Sequence, residues 1–486
     1  MDSFVATQNR KNVKHICKVW SSSENNSNNA WKFNFNNGNT NNNNKNNNNY
    51  VRAVRAFSVK HFRPPRRAKK FNNMDLFSGI PQEKKPQFSV ELSDLLEAYF
   101  ACRKRKRRTY NAMRFEWNYE EELLQLKEEL GNGTYRPGRN VAFIVNKPVK
   151  REIFAADFRD RVVHHFLMNK INPLLDERMQ ADCYACRKGK GTHYGVKKIQ
   201  EQMERLAAIH GDVYVMKLDI QGFFMSIPRK RLYHQLSALL RANYKKEDLP
   251  LVLDLVNKIV HHAPEKHCYR KGSMRDWEGL PSSKSLFYAQ QDCGLPIGNL
   301  TSQIFANFYL SSMDNWIVQQ LPGAGYGRYV DDFIVIHSNP NHLIELKRKL
   351  TQVLNQRWKL QLHPKKFYLQ HHKKGVAFLG TFILPGRVYV GKRTWKHFYQ
   401  KLTHYHPVVL KNNYWENMRN MQSCINSYLG IVQHYKSYRK RKNLLFHHLH
   451  GDFWNHLYCS GGIRKVLLRR RRELNSAINI GRYFSG

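Results

Sequence analysis

The amino-acid sequence predicts an α+β fold in which antiparallel strands are separated by amphipathic helices. Three patterns support this prediction. Apolar residues recur with helical spacing from Phe88 onward. Residues 141–156, VAFIVNKPVKREIFAA, contain two strand-like runs separated by a turn at residues 146–148. Two short apolar runs, residues 213–218 and 333–336, are typical of buried strands. Together these segments predict a mixture of helices and strands, as in the α+β class.

Local signals along the chain define the predicted helices. Residues 89–108 predict a first helix with Ser89 or Ser93 as its N-cap. Residues 119–133 predict a second helix that ends at Gly131. Helical spacing returns in three further segments, residues 157–169, 302–317 and 427–435. After Gly386 the chain is basic and predicted to be mainly helical.

Net charge restricts the class of partner. The chain has 486 residues with 81 Lys and Arg against 37 Asp and Glu, a formal net charge of +44. So basic a surface repels itself, and a polyanion such as nucleic acid is the usual reason to keep it. The sequence lacks the long apolar run of a membrane span and the apolar N-terminal stretch of a secretory signal. Its eight Cys are too scattered for a disulfide framework. We therefore expect a cytoplasmic nucleic-acid-binding protein.

An Asn-rich tract separates the N-terminus from the rest of the chain. Within residues 24–49, 16 positions are Asn. Asn side chains compete with the backbone for hydrogen bonds, so we expect this tract to be irregular. A basic linker with two prolines follows at residues 63–70, just before Met74.

Carboxylates lie at the ends of the predicted strands in two places. Asp219 ends the run VYVMKLD, and Asp331 and Asp332 lie in RYVDDFIVI, which predicts a hairpin with the acidic pair at its turn. Adjacent carboxylates repel each other, so the pair is unfavourable unless a cation neutralises it. Mg²⁺ prefers oxygen ligands, and two such ions suit in-line phosphoryl transfer. For the acidic pair considered alone, an ordinary polar turn is the alternative.

The segments around these carboxylates resemble the catalytic motifs of reverse transcriptases. The resemblance covers residues 88–441, and five motifs carry it in the family's order: KLDIQGFFMSI from residue 217, GLPIGNLTSQ from 294, YVDD from 329, LHPKK from 362 and FLG from 378. It implies a right-hand polymerase with fingers, an antiparallel palm sheet and a helical thumb. It also implies RNA-directed DNA polymerisation from deoxynucleoside triphosphates. Two Mg²⁺ ions would be held by Asp219, Asp331, Asp332 and the backbone of Ile220.

This resemblance divides the chain into four predicted parts. They are an Asn-rich low-complexity region with the basic linker at 1–73, N-terminal helices and fingers at 74–205, the palm with part of the fingers at 206–385, and a basic helical thumb and tail at 386–486.

The resemblance also implies roles for residues around the carboxylates. The nucleotide-binding residues would be Arg151, Phe224, Ile297, Gly298, Gln303 and Lys365. The template- and primer-binding residues would be Arg187, Lys190, Tyr329, Leu379 and Gly380. For the lysine near the pyrophosphate, the sequence does not distinguish Lys365 from Lys366. A core aromatic is the alternative for Phe224, and a solvated surface residue is the alternative for Arg151.

The motif around Ile297 narrows the resemblance. Most reverse transcriptases have Gln at the position of Ile297, directly before the Gly. The pattern Ile-Gly-x-x-x-Ser-Gln is similar to that of the reverse transcriptases of diversity-generating retroelements. Those enzymes misincorporate opposite template adenines. An apolar side chain contacts bases without hydrogen-bonding to them, so Ile297 would weaken discrimination between correct and incorrect nucleotides. Core packing is the alternative role for Ile297. The rival functions are a group II intron or retron-type reverse transcriptase and a catalytically idle RNA-binding scaffold.

The N-terminal tract agrees with the retroelement interpretation. Asn codons begin with two adenines, so a translated template repeat rich in mutable adenines would encode Asn. Translation in the cell would then start near Met74, whereas a native low-complexity tail is the alternative. The expected partners are a template RNA, a DNA primer or cDNA, and a small basic accessory variability determinant protein, in a bacterial or phage-encoded system.

Overall fold

The computed structural model describes most of the chain, which forms two compact units, Met1–Gln82 and Glu83–Gly486. The described residues are 88–104, 109–146, 149–409, 414–449 and 451–469, together with four strands nearer the N-terminus. Among the described helices, none is both long and apolar enough to cross a membrane.

The first unit contains a four-stranded antiparallel sheet in the order β1-β2-β3-β4. Its strands are β1 (Phe4–Thr7), β2 (Lys18–Glu24), β3 (Asn29–Asn34) and β4 (Asn39–Asn44). The tract predicted to be irregular thus contributes two paired strands, because an antiparallel ladder satisfies peptide groups whatever the side chain. The rest of that tract, the basic linker and Met74 lie outside the described residues.

Four helices at the start of the second unit pack around one core. They are α1 (Leu92–Arg103), α2 (Tyr110–Trp117), α3 (Tyr119–Gly131) and α4 (Phe158–Arg178). The predicted helices are present, and their apolar faces bury Leu95, Leu126 and Phe166. The predicted caps of α1 are wrong: its N-cap is Glu91, with no side-chain cap bond. Ser93 already lies inside the helix, and Ser89 is two residues too early.

The predicted strand pair at residues 141–156 is also present. β5 (Val141–Val145) pairs antiparallel with β6 (Arg151–Ala155), and β8 (Tyr269–Arg270) adds to β5 in parallel. Residues 147–148 of the predicted turn lie outside the described residues. The fully buried carboxylate of Glu152 accepts hydrogen bonds from Trp277 Nε1 at 2.7 Å and from the Leu286 N–H at 2.6 Å. This carboxylate ties β6 to the long loop after β8.

The central sheet has four strands in the order β11-β7-β10-β9, and every neighbouring pair is antiparallel. Its strands are β7 (Tyr214–Asp219), β9 (Gly325–Tyr329), β10 (Asp332–His337) and β11 (Tyr368–His371). Alternate residues of the middle strands enter different cores: Leu218 and Phe333 pack on one face, and Val215 and Ile334 on the other. Burial on both faces explains why these strands are continuously apolar in the sequence.

Helices supply both cores around this sheet. They are α5 (Thr192–His210), α6 (Phe223–Ser226), α7 (Arg229–Asn243), α8 (Leu249–His261), α9 (Leu300–Tyr309), α10 (Ser311–Gln320) and α11 (Pro340–Val353). The segment predicted as one helix over 302–317 is two helices that meet at Leu310.

The C-terminal region begins with a small sheet and is otherwise mainly helical. The sheet contains β12 (Val376–Phe378), β13 (Thr381–Leu384) and β14 (Arg387–Val390). After it come α12 (Lys392–Val409), α13 (Tyr414–Val432), α14 (Tyr438–His448), α15 (Asp452–His456), and the hairpin of β15 (Leu457–Ser460) with β16 (Lys465–Leu468). These helices surround their own core, which includes Phe398, Met421 and Leu429. The predicted α+β class is therefore confirmed, whereas the final hairpin was not predicted.

Candidate active site

The strand register brings the three predicted carboxylates to one end of the central sheet. Asp219 ends β7, and Asp332 begins β10 directly opposite it. Asp331 lies in the two-residue turn between β9 and β10, and its carbonyl accepts a hydrogen bond from the Ile220 N–H at 3.2 Å. Asp219 is far from the other two carboxylates in sequence and lies opposite Asp332 because β7 and β10 are antiparallel neighbours.

The turn that carries Asp331 is conformationally strained. Val330 has φ of +60°, a conformation that β-branched residues rarely adopt. The carbonyl of Val330 accepts a hydrogen bond from Arg328 Nη1 at 2.8 Å. Arg328 is fully buried and donates two 2.7 Å hydrogen bonds to the equally buried Asp314. This ion pair anchors the turn, so Arg328 and Asp314 help to position the carboxylates of Asp331 and Asp332.

Burial and mutual repulsion make the carboxylates electrostatically unfavourable. Burial raises the pKa of Asp331, the nearby charge of Asp219 raises it further, and Lys366 and Arg151 oppose the increase. Burial also raises the pKa of Asp332 to about 6, although Lys217 acts in the opposite direction. Such a group of carboxylates favours the binding of cations.

Two ammonium groups already contact these carboxylates. Lys217 Nζ lies 3.1 Å from Asp332 Oδ2, and Lys366 Nζ lies 2.8 Å from Asp219 Oδ2. Asp332 Oδ1 is buried and has no hydrogen-bond partner. Three carboxylates at one end of the sheet, with the buried Oδ1 of Asp332 unpartnered, fit the preference of a hard divalent cation for oxygen ligands.

Of the two lysines that the sequence does not distinguish, Lys366 is the one that contacts Asp219. Lys365 is exposed, and its backbone N–H donates to His363 Nδ1 at 3.2 Å within the turn. The sequence offered two adjacent lysines, and the turn directs the second of them to Asp219.

The loop before α9 is hydrogen-bonded to both β6 and α6. The Leu295 N–H donates to the Phe224 carbonyl at 2.8 Å, and the Phe154 N–H donates to the Ile297 carbonyl at 2.8 Å. The partly buried side chains of Phe224 and Ile297 pack in one cluster with Phe154 and Met225. The structure therefore brings the predicted Phe224 and Ile297 together.

Gly298 allows this loop to approach β6 closely. Its φ is +125°, and a Cβ at this position would lie 2.9 Å from Ile153 Cγ2 and 3.1 Å from the Phe154 carbonyl oxygen. Both the backbone conformation and the space favour glycine here. The neighbouring Gln303 is exposed on α9, and its Oε1 accepts from Cys186 Sγ at 3.3 Å.

The predicted basic residues differ in their availability. Arg151 is exposed at the start of β6, and its positive charge acts to lower the pKa of Asp331. Arg187 is held internally: it pairs with Asp176 at 2.5 Å and donates to the Gln180 carbonyl at 2.6 Å. A guanidinium with these partners stabilises its own loop, which argues against the predicted template contact.

Four other predicted residues lie in or beside turns. The half-buried Lys190 donates to the Ala181 carbonyl at 2.6 Å. Tyr329 is half-buried just before the strained turn, and burial raises its pKa. Leu379 and Gly380 form the tight turn between β12 and β13, both with positive φ.

A second group of potential ligands lies at the opposite end of the central sheet. Asp212, His371 and His372 bring ligand atoms within 4.8 Å of one another. His371 Nε2 lies 2.9 Å from Asp212 Oδ1, and Lys373 Nζ lies 3.4 Å from the same oxygen. No sequence motif indicated this group.

Comparison with known families identifies the central part of the chain. Residues 146–383 match the family model of reverse transcriptase (RNA-dependent DNA polymerase). This segment contains the central sheet and all three carboxylates. The chain therefore carries a reverse transcriptase domain, which supports RNA-directed DNA polymerase activity. Its mixed α/β fold with antiparallel sheets is consistent with a right-hand polymerase.

Individual relatives are distant. Protein YkfC from Escherichia coli (strain K12) is 21% identical over 305 residues, covering 56% of this chain and 73% of that protein. Among solved structures, apo telomerase from Candida tropicalis, truncated from its C-terminal domain, has a TM-score of 0.37 at 15% identity, covering 53% of this chain and 56% of that one. Telomerase from Candida albicans in complex with a fragment of telomeric RNA has a TM-score of 0.37 at 14% identity, covering 64% and 55%. The chain thus spans just over half the length of these structures.

Proposed function

We propose that this protein is the RNA-directed DNA polymerase of a diversity-generating retroelement, which copies a template-repeat RNA into DNA with errors opposite adenines. The observation that carries the polymerase part is the meeting of Asp219, Asp331 and Asp332 at one end of a sheet inside a reverse transcriptase domain. The retroelement part rests on Ile297 and on the Asn-rich N-terminus.

Asp219, Asp331, Asp332 and the backbone of Ile220 would hold two Mg²⁺ ions. When bound, these ions would activate the primer 3′-hydroxyl and neutralise the charge on the leaving pyrophosphate. Arg151 and Lys366 would add positive charge around the triphosphate, Arg151 in the bidentate manner that guanidinium allows. Phe224 would lie under the sugar and oppose a 2′-hydroxyl.

Ile297 would determine the fidelity of copying. Its side chain is partly buried against Phe224 in an apolar cluster. A glutamine there could hydrogen-bond to the template or the incoming nucleotide, whereas isoleucine offers shape alone. Discrimination that depends on shape is weaker than discrimination in which a mismatch leaves polar groups unpaired.

Template RNA, a DNA primer or cDNA, and an accessory variability determinant protein would be the partners. The half-buried Lys190 and the exposed Lys365 remain candidates for contacts with nucleic acid. Tyr329, Leu379, Gly380 and Gln303 remain candidates for contacts with template, primer or nucleotide. The fingers, palm and thumb boundaries at 74–205, 206–385 and 386–486 are part of the same proposal.

Primer extension on an RNA template tests the polymerase activity. We expect Mg²⁺-dependent DNA synthesis by the wild type and none by Asp331→Asn. RNA binding should persist in this variant, because removal of a negative charge does not weaken attraction to a polyanion. Asp212→Asn, a carboxylate at the opposite end of the sheet, is the matched control and should extend normally. Full extension by Asp331→Asn would refute the metal-ligand assignment.

Sequencing of the cDNA tests the retroelement assignment. Wild-type product should contain substitutions concentrated opposite template adenines, and Ile297→Gln should reduce them several-fold. An even error spectrum in the wild type would instead favour a group II intron or retron-type enzyme. The DNA around the gene should also contain a near-duplicate of the Asn-coding stretch that differs at adenines. Mass spectrometry of the native protein for peptides before Met74 tests whether that stretch is translated.

A further inference from the structure

Lys217 joins two parts of the site that belong to different sheets. It lies on β7 two residues before Asp219, so both side chains emerge on the same face of the strand. Its ammonium lies 3.1 Å from Asp332 Oδ2 and donates to the carbonyl of Ala377 at 3.1 Å. Ala377 is the middle residue of β12, which forms a hairpin with β13 outside the central sheet. One side chain therefore contacts both a catalytic carboxylate and this hairpin.

The contact with Lys217 fixes the orientation of Asp332. Oδ2 is held by the ammonium, whereas Oδ1 is buried and has no hydrogen-bond partner. A carboxylate held through one oxygen presents the other in a defined direction. Lys217 is mostly buried, with 26% of its side chain exposed, so its flexible stem is restrained by packing.

The charge of Lys217 is unfavourable for metal binding. A cation beside the carboxylates repels an incoming divalent ion, and this repulsion amounts to several-fold in affinity at such distances. Attraction of the metal therefore cannot be the reason for a lysine here. Orientation of Asp332 and attachment of the β12–β13 hairpin are the two effects its contacts provide.

We propose that Lys217 is a positioning residue that aligns Asp332 with the β12–β13 hairpin, so that the metal site and the primer-contacting turn at Leu379-Gly380 keep a fixed separation. The proposal rests on the proposed polymerase function. Alignment of reacting groups within fractions of an ångström is a large part of the rate of such reactions. Lys217 would thus weaken Mg²⁺ binding several-fold and raise kcat by a larger factor.

The test compares Lys217→Met with Lys217→Arg and with Lys366→Met. Methionine keeps the length of the side chain and loses the charge and both contacts, whereas arginine keeps a cation and can reach both acceptors. Lys366→Met is the matched control, because it removes an ammonium from Asp219 and leaves the Ala377 contact intact. Three quantities are measured: Mg²⁺-dependent melting without nucleic acid, kcat and KM of primer extension, and amide hydrogen exchange in residues 376–381.

For Lys217→Met we expect a Mg²⁺ midpoint several-fold lower than in the wild type, a kcat at least about tenfold lower and faster exchange in the hairpin. Lys217→Arg should restore the Mg²⁺ midpoint and most of the hairpin protection. Lys366→Met should leave hairpin exchange unchanged.

Two outcomes would overturn the proposal. Tighter Mg²⁺ binding with a wild-type kcat in Lys217→Met would show that Lys217 only compensates the negative charge of the carboxylates. Unchanged hairpin exchange in Lys217→Met would remove the link to β12. If the wild type makes no templated product, the polymerase function fails instead, and the melting and exchange measurements still decide the role of Lys217.

Discussion

The two ends of the central sheet carry similar groups in opposite electrostatic states. At one end Asp332 contacts Lys217, 23% of its side chain is exposed, and burial raises its pKa to about 6. At the other end Asp212 contacts His371 and Lys373, 63% of its side chain is exposed, and the hydrogen bond from His371 together with the charge of Lys373 lowers its pKa. Acid–base pairing is common to both ends, so pairing does not distinguish a catalytic site from a surface cluster.

Burial distinguishes the two ends. Water screens the charges around Asp212, and its pairs are of the exposed kind that contribute little to stability. Around Asp332 the protein holds several carboxylates close together and partly dehydrated, which is unfavourable until cations arrive. The fully buried Arg328–Asp314 pair below the turn keeps that arrangement in place.

The largest expected difference between the two ends is in activity. Asp332→Asn should lower kcat of primer extension about ten-thousandfold, because a neutral amide is a poor ligand for a hard divalent cation. Asp212→Asn should stay within about twofold of the wild type, since exposed charges away from the reacting groups rarely affect the rate. Single-turnover extension on an RNA template measures both. A comparable loss in the two variants would mean that the whole sheet, and not its buried end, determines activity.

The strands that bring Asp219 and Asp332 together were predictable from sequence because their signals are local. The runs ending at Asp219 and flanking Asp332 are apolar, short and bounded by carboxylates, so both the strands and their acidic ends can be recognised without the fold. The Arg328–Asp314 pair joins a strand to the preceding helix α10. Its sequence signal, one Arg inside an otherwise neutral strand, is recognisable only once that strand is known to be buried.

The surroundings of other residues could not be predicted, because they depend on side-chain partners that are distant in the sequence. Arg187 is a residue type that often contacts nucleic acid, and only the fold shows that its guanidinium is paired with Asp176. Lys365 and Lys366 are indistinguishable by type, and the geometry of one turn separates them. The group of Asp212 with His371 and His372 is assembled by the pairing of β11 with β7, which no local pattern indicates.

The second largest effect should come from the buried Arg328–Asp314 pair. Arg328→Met leaves the Asp314 carboxylate buried without its cation, so the free energy of unfolding should fall by about 3–5 kcal/mol. The double variant Arg328→Met/Asp314→Leu should recover much of this loss, because no isolated charge remains. Urea unfolding of the single and double variants measures both effects. A loss below about 1 kcal/mol in Arg328→Met would show that the turn does not depend on this pair.

The pH dependence of stability should have opposite signs at the two ends. A raised pKa means that Asp332 stabilises the fold only while protonated, and this contribution disappears as the pH rises through about 6. In metal-free protein at pH 8, Asp332→Asn should therefore increase the free energy of unfolding by about 2 kcal/mol. The increase should vanish near pH 4. A destabilised Asp332→Asn protein at pH 8 would contradict the electrostatic description of this end.

The smallest effect is expected for Asp212→Asn, and its sign is opposite. The pKa of Asp212 is lowered, so its pairs with His371 and Lys373 stabilise the fold above its ordinary pKa, and the contribution is lost as the pH falls. At pH 8 the variant should melt at a slightly lower temperature than the wild type, by under about 2 °C, because exposed pairs are weak and screened by salt. Calorimetry at low and high salt measures the shift, which should shrink as salt increases. A large, salt-insensitive decrease would show that the ion pairs of Asp212 stabilise the fold as much as buried pairs do. The contrast between buried and exposed pairing at the two ends of the sheet would then fail.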